Sequence, residues 1–98
     1  PVGVGDEAAP PDRFSLSQNY PNPFNARTTI GYALAKEGPV NLNVYNLAGQ
    51  RVAILDEGVR PAGNHEALWD AGDVPSGTYF YRLTVNGQSE TKRMVLLK

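Results

Sequence analysis

Apolar and polar residues alternate along most of the chain. Ser15 separates Phe14 from Leu16, and Gly31 and Ala33 separate Ile30, Tyr32 and Leu34. Val40, Leu42 and Val44 alternate with Asn41 and Asn43 in the cleanest run of all. Tyr79, Tyr81, Leu83 and Val85 alternate with Phe80, Arg82 and Thr84. A period of two turns one side of an extended chain to a core and the other to solvent. These runs are short and rich in β-branched and aromatic residues, and they predict strands over 14–18, 28–34, 40–46, 50–56, 64–69, 78–86 and 89–97. Val52–Glu57 is the weakest of them. No segment carries a helical period of 3.6. Seven strands with one-sided alternation predict an all-β, antiparallel two-sheet sandwich.

The turns are as legible as the strands. Asn86-Gly87 between two apolar runs predicts a two-residue hairpin of type I′. Tyr20-Pro-Asn-Pro-Phe-Asn25, with two prolines fixing φ, predicts an extended and rigid connection. Asn46-Leu-Ala-Gly49, Pro61-Ala-Gly63 and Pro75-Ser-Gly77 punctuate the remainder. The last strand ends in Met94-Val-Leu-Leu97, a continuous apolar run. Such a run fits a strand covered on both sides or an edge open to another chain. Residues 1–13, with three prolines, two glycines and no aromatic, predict a proline-rich linker, which leaves 14–98 as the folded domain.

Composition narrows the function classes. Ten glycines and eight prolines in 98 residues exclude a helical bundle. A net charge of −1 offers no basic surface to a nucleic-acid backbone. No apolar run approaches the ~20 residues of a membrane-spanning helix, and the first residues lack the basic start and apolar stretch of a signal peptide. Zero cysteines remove disulfides and thiolate chemistry. One histidine, His65, leaves at most a single triad and no multi-histidine metal site.

The candidate chemistries are correspondingly thin. His65 shares its parity with Ala67 and Trp69, which places it at the interior or its rim, and nothing marks Ser76 or Asp70 as its activated partner. Asp70, Asp73 and Glu66 fall short of the oxygen-rich loop that calcium requires. Asp70 is instead expected to hold its own turn. A glycan platform would draw on Tyr20, Tyr45, Trp69, Phe80 and Tyr81, of which Tyr45 and Phe80 have outward parity while Trp69 and Tyr81 read as core. The expectation is a non-enzyme without cofactor, with a glycan-binding or adhesive module as the alternative.

One ordered set of blocks points further. Tyr20-Pro21-Asn22-Pro23-Phe24-Asn25 is followed by Val40-x-Leu42-x-Val44-Tyr45-Asn46-x-x-Gly49 and by Ala62-Gly63-x-His65. Ser76-Gly77-x-Tyr79-Phe80-Tyr81 and Lys92-Arg93-Met94-x-Leu96 complete the series. Together they resemble the type A C-terminal sorting domain of the type IX secretion system. The resemblance implies an immunoglobulin-like sandwich akin to fibronectin type III, and a non-catalytic signal that takes a cargo through the outer membrane. It also implies type IX machinery and a sortase-like peptidase as partners, a monomer, and a secreted or cell-surface destination in a Bacteroidetes-related, Gram-negative bacterium. The motif residues it marks are Pro21, Asn22, Pro23, Gly49, Gly63, Gly77, Tyr79, Lys92, Arg93, Met94, Leu96 and Lys98. Most are expected to determine the fold, and Lys92, Arg93 and Lys98 are expected to point to solvent as the surface that is recognised. Many relatives carry proline where this chain has Ala26 and Ala35, which implies less rigid loops here.

Overall fold

The computed structural model describes residues 14–98, so the linker expected over 1–13 lies outside the described residues. Seven strands follow in chain order: β1 Phe14–Leu16, β2 Arg27–Leu34, β3 Gly38–Tyr45, β4 Arg51–Arg60, β5 Gly63–Asp70, β6 Gly77–Val85 and β7 Gln88–Leu96. One sheet has the order β1-β2-β5 and the other β4-β3-β6-β7, and all the strand pairings are antiparallel. The chain is an all-β, immunoglobulin-like sandwich, with no helix among the described residues.

The alternation explains the packing. Ile30, Tyr32 and Leu34 of one sheet face Val40, Leu42, Val44, Tyr81, Leu83, Met94 and Leu96 of the other, all buried. Trp69 stands between Phe24 and Tyr79, with ring centroids at 5.7 and 5.4 Å. Aromatic groups at such tilted and edge-on separations add to the area they bury. The Asn86-Gly87 turn has φ of 51° and 81°, the two positive values that type I′ demands.

Strand β4 departs from the regular pattern for a visible reason. Its register against β3 slips between Leu42 and Asn43 and again between Val44 and Tyr45. Each slip exchanges inward and outward positions, so that no face of β4 is consistently buried. The segment Tyr20–Asn25 is a correction to the extended connection expected: residues 21–23 form bends, and both X–Pro bonds are cis. Tyr20 pairs with Thr29 in one sheet while Phe24 bridges Leu96 in the other, so the chain must change direction between them.

His65 lies at the rim, half buried. Its Nε2 is 2.8 Å from the Pro61 carbonyl, and its ring centroid is 5.2 Å from that of Tyr32. The Tyr32 hydroxyl donates across the sandwich to Asp56 of β4, whose other oxygen takes Arg60 Nη2 at 2.5 Å.

Candidate interaction surface

Strand β7 is an edge strand, and an edge strand presents unpaired N–H and C=O groups. Here the chain's own residues 18–24 occupy those at the C-terminal end of the strand, from Arg93 onward. The Arg93 carbonyl accepts from Gln18 Nε2 at 2.8 Å, and Val95 N–H donates to Asn22 Oδ1 at 3.1 Å. The Val95 carbonyl accepts from Phe24 N–H at 3.0 Å, and Leu97 N–H donates to the Phe24 carbonyl at 2.8 Å. The same segment is anchored in the opposite sheet. Buried Asn19 donates to Thr28 Oγ1 at 3.0 Å and to the Pro21 carbonyl at 3.1 Å, and Thr28 donates to that carbonyl at 2.9 Å. The asparagines and prolines thus form a clasp between the sheets.

Other motif residues gather at the same end. Tyr79, near the start of β6, donates its hydroxyl to the Pro75 carbonyl four residues upstream at 2.7 Å. That is the tyrosine corner of immunoglobulin-like sandwiches. Gly77, at φ 151°, is paired with Leu96, and Tyr79 with Met94. Lys98 N–H donates to Ser76 Oγ at 3.0 Å, and its ammonium to the Gly72 carbonyl at 2.6 Å. Asp70 accepts from Gly72 N–H at 3.2 Å, the turn-holding role expected of it, and from Arg27 at 3.3 Å. The β3–β4 turn closes when Asn46 Oδ1 accepts from Ala48 N–H at 2.9 Å and Gln50 N–H at 3.0 Å, with Gly49 at φ 83°. Gly63 does not join this group; it pairs with Leu34 at the other end of β5.

The basic residues are not one patch: Arg93 and Lys98 are exposed as expected, whereas Lys92 corrects the expectation that it points to solvent. Lys92 shares the core-side parity of Met94 and Leu96, is half buried, and lies 3.9 Å from Glu90. Arg93 points to the opposite face, and Lys98 is tied down by the bonds above. Alternation alone carried this signal, since Lys92, Met94 and Leu96 are spaced by two. Two further arrangements had no sequence signal. The clasp joins positions 73 residues apart, and the Tyr32–Asp56–Arg60 contact joins two strands of different sheets. Burial pushes the Tyr81 hydroxyl, which donates to the Ser17 carbonyl at 2.7 Å, up to about 12.

Known proteins resemble this chain over almost its whole described length. The crystal structure of dimeric latent PorU from Porphyromonas gingivalis contains a similar fold, with a TM-score of 0.63 and 20% identity over 96% of this chain. The chain spans 10% of the PorU chain. No curated protein is significantly similar in sequence. Residues 18–97 match the model of the secretion system C-terminal sorting domain. The match opens at Gln18, where the clasp opens, and closes at Leu97, where the clasp closes on β7. The chain belongs to the secretion system C-terminal sorting domain family.

Proposed function

We propose that this chain is a non-catalytic signal that directs a cargo protein through the outer membrane by type IX secretion. It works as a folded monomer, and a sortase-like peptidase separates it from the cargo within or upstream of residues 1–13. The cargo is then released or attached to the cell surface. The family match over residues 18–97 carries this reading. The convergence of Asn22, Gly77, Tyr79, Leu96 and Lys98 on one end of a clasped sandwich supports it, because a shaped surface can be recognised only while the fold holds those groups together.

The test is a reporter bearing an N-terminal signal peptide and residues 1–98, expressed in a type IX-competent host and in a strain lacking the outer-membrane translocon. Export from the first and periplasmic retention in the second is the expected pair of results. Sequencing the released cargo's new end should place the cut at or before residue 13. Retention in both hosts would overturn the sorting role.

A further inference from the structure

The outward face of the four-stranded sheet carries an ordered row that the clasped end does not explain. Register places Arg51 of β4 beside Tyr45 of β3, Tyr45 beside Phe80 of β6, and Phe80 beside Arg93 of β7. Residues directly opposite in paired strands share a face, so the row reads Arg, Tyr, Phe, Arg across the sheet. One step along the strands, Arg82 lays its guanidinium 4.9 Å from the centre of the Tyr45 ring. Tyr45, Phe80, Arg82, Leu47 and Thr91 line a shallow depression of about 210 Å³.

Among the described residues, no carboxylate pairs with the charges on this face. Among the described residues, the ion pairs are Arg27–Asp70, Arg60–Asp56 and Lys92–Glu90, and none engages Arg51, Arg82 or Arg93. The acid that shares the face, Glu57, is in register with Asn41, four residues and therefore about 13 Å along the strand from Tyr45. Three arginines with no carboxylate partner among the described residues surround two half-exposed aromatic rings, and Leu47 beside them is 72% exposed. Arginine and aromatic side chains of this kind supply much of the binding energy in protein interfaces. An arginine fork matches a carboxylate by two parallel hydrogen bonds. The aliphatic Leu47 side chain, exposed beside the rings, suits an apolar side chain better than the hydroxyl-covered surface of a sugar, which favours a polypeptide over a glycan.

We infer that this face docks an acidic protein surface, carboxylates meeting Arg51, Arg82 and Arg93 around an apolar contact on Tyr45 and Phe80. The inference rests on the sorting reading in taking that surface to belong to the export machinery. It moves recognition from the basic residues at the end of β7 to a face on which Arg93 alone of the three takes part.

Two measurements on the chain of residues 1–98 decide it. The first titrates the 15N-labelled chain with a synthetic peptide of alternating Glu and Leu. Shifts should concentrate at Tyr45, Phe80, Arg82 and Arg93, weaken as salt is raised, and vanish in the Arg82→Gln/Arg93→Gln variant. The second compares export rates of reporters carrying that variant or Arg82→Lys/Arg93→Lys, each first checked for an unchanged melting temperature. The Gln pair should export about tenfold more slowly, a change worth roughly 1.4 kcal/mol, and the Lys pair should recover part of the rate. Normal export by the folded Gln pair would overturn the inference. So would peptide shifts elsewhere, or binding of polygalacturonate at this face without binding of the peptide. An unmutated reporter held in the periplasm would instead overturn the sorting reading, and the peptide titration would still decide the docking face.

Discussion

The two outer strands of the four-stranded sheet solve one problem in opposite ways. Strand β7 has the C-terminal part of its exposed backbone covered by the chain itself: Gln18, Asn22 and Phe24 satisfy three groups of Arg93 and Val95 and the N–H of Leu97 just beyond the strand. Strand β4 is left irregular, with two register slips, and is tied across the sandwich by Tyr32, Asp56 and Arg60. Covering an edge and bulging it are both recognised defences against unwanted strand pairing. They differ in what maintains them. The clasp depends on uncharged amide hydrogen bonds and packed aromatic rings, whereas the β4 edge depends on ionised side chains. The first should therefore be sensitive to volume and the second to pH.

The largest effects should come from the rings beneath the clasp. Phe24 and Trp69 are 2% and 5% exposed and lie against each other, so replacing either by alanine removes a large buried group. Each substitution should cost about 3–5 kcal/mol in urea unfolding, as truncations of buried aromatics do. On the β4 edge, Ile54 is 49% exposed, and Ile54→Ala should cost no more than about 1 kcal/mol. A Phe24→Ala variant as stable as Ile54→Ala would mean that the clasp covers β7 without contributing to the fold.

The β4 edge should respond to proton concentration instead. Burial raises the Asp56 pKa, but hydrogen bonds from Tyr32 and Arg60 outweigh it and hold the carboxyl below its ordinary value. Its contribution is therefore present above the unfolded value of about 3.9 and lost as pH falls through the folded one. Burial, then the bond to Asp56, raises the Tyr32 hydroxyl. The stability linked to Tyr32 is complete below the unfolded value of about 10 and is lost as pH rises through its folded value; Tyr81, at about 12, behaves alike. Tyr32→Phe should cost about 1–3 kcal/mol at neutral pH, because Asp56 loses a partner in a partly buried site. Asp56→Asn should flatten the acid limb of a stability-against-pH curve. An unchanged acid limb would remove the ionic contact from the account of this edge.

What could be read in the sequence follows the same division. The strands of the core were legible because Ile30, Val40, Tyr81 and their neighbours are buried on one side only, and one-sided burial writes itself as alternation. Strand β4 was legible only in part, since its slips exchange the faces partway along. The unbroken apolar run Met94–Leu97 left open whether β7 is covered or exposed, because the answer lies in residues more than seventy positions earlier. Local pattern holds no record of such a contact. The orientation of Lys92, by contrast, is written in its two-residue spacing from Met94 and Leu96.

A smaller effect isolates one bond of the clasp. Asn22→Ala removes the acceptor of Val95 N–H, and the loss of one hydrogen bond should cost about 0.5–1.5 kcal/mol. Amide exchange gives the sharper measurement. Val95 should exchange faster, while Leu97, bonded to the Phe24 carbonyl, should keep its protection. If both amides accelerate together, the segment opens as a unit rather than bond by bond.

The smallest change should run the other way. Ala26, where the clasp returns to β2, has φ 74° at the centre of a three-residue turn closed by Arg27 N–H on the Asn25 carbonyl at 2.9 Å. Its own carbonyl accepts Ala71 N–H at 2.6 Å, so the conformation is held from both sides. A residue with a Cβ is strained there by about 1–2 kcal/mol, whereas glycine is not. Glycine also gives the unfolded chain more freedom, which returns about 0.4–1 kcal/mol of that gain. Ala26→Gly should therefore stabilise the domain by a few tenths to about 1 kcal/mol, read as a shift of the urea midpoint at constant slope. Ala26→Pro should destabilise strongly, since proline fixes φ near −65°. The turn is thus held by hydrogen bonds on both sides of Ala26. A proline variant as stable as the unmutated chain would show that the exit of the clasp adapts freely, and the contrast between an edge held by uncharged hydrogen bonds and one held by ionised side chains would fail at that point.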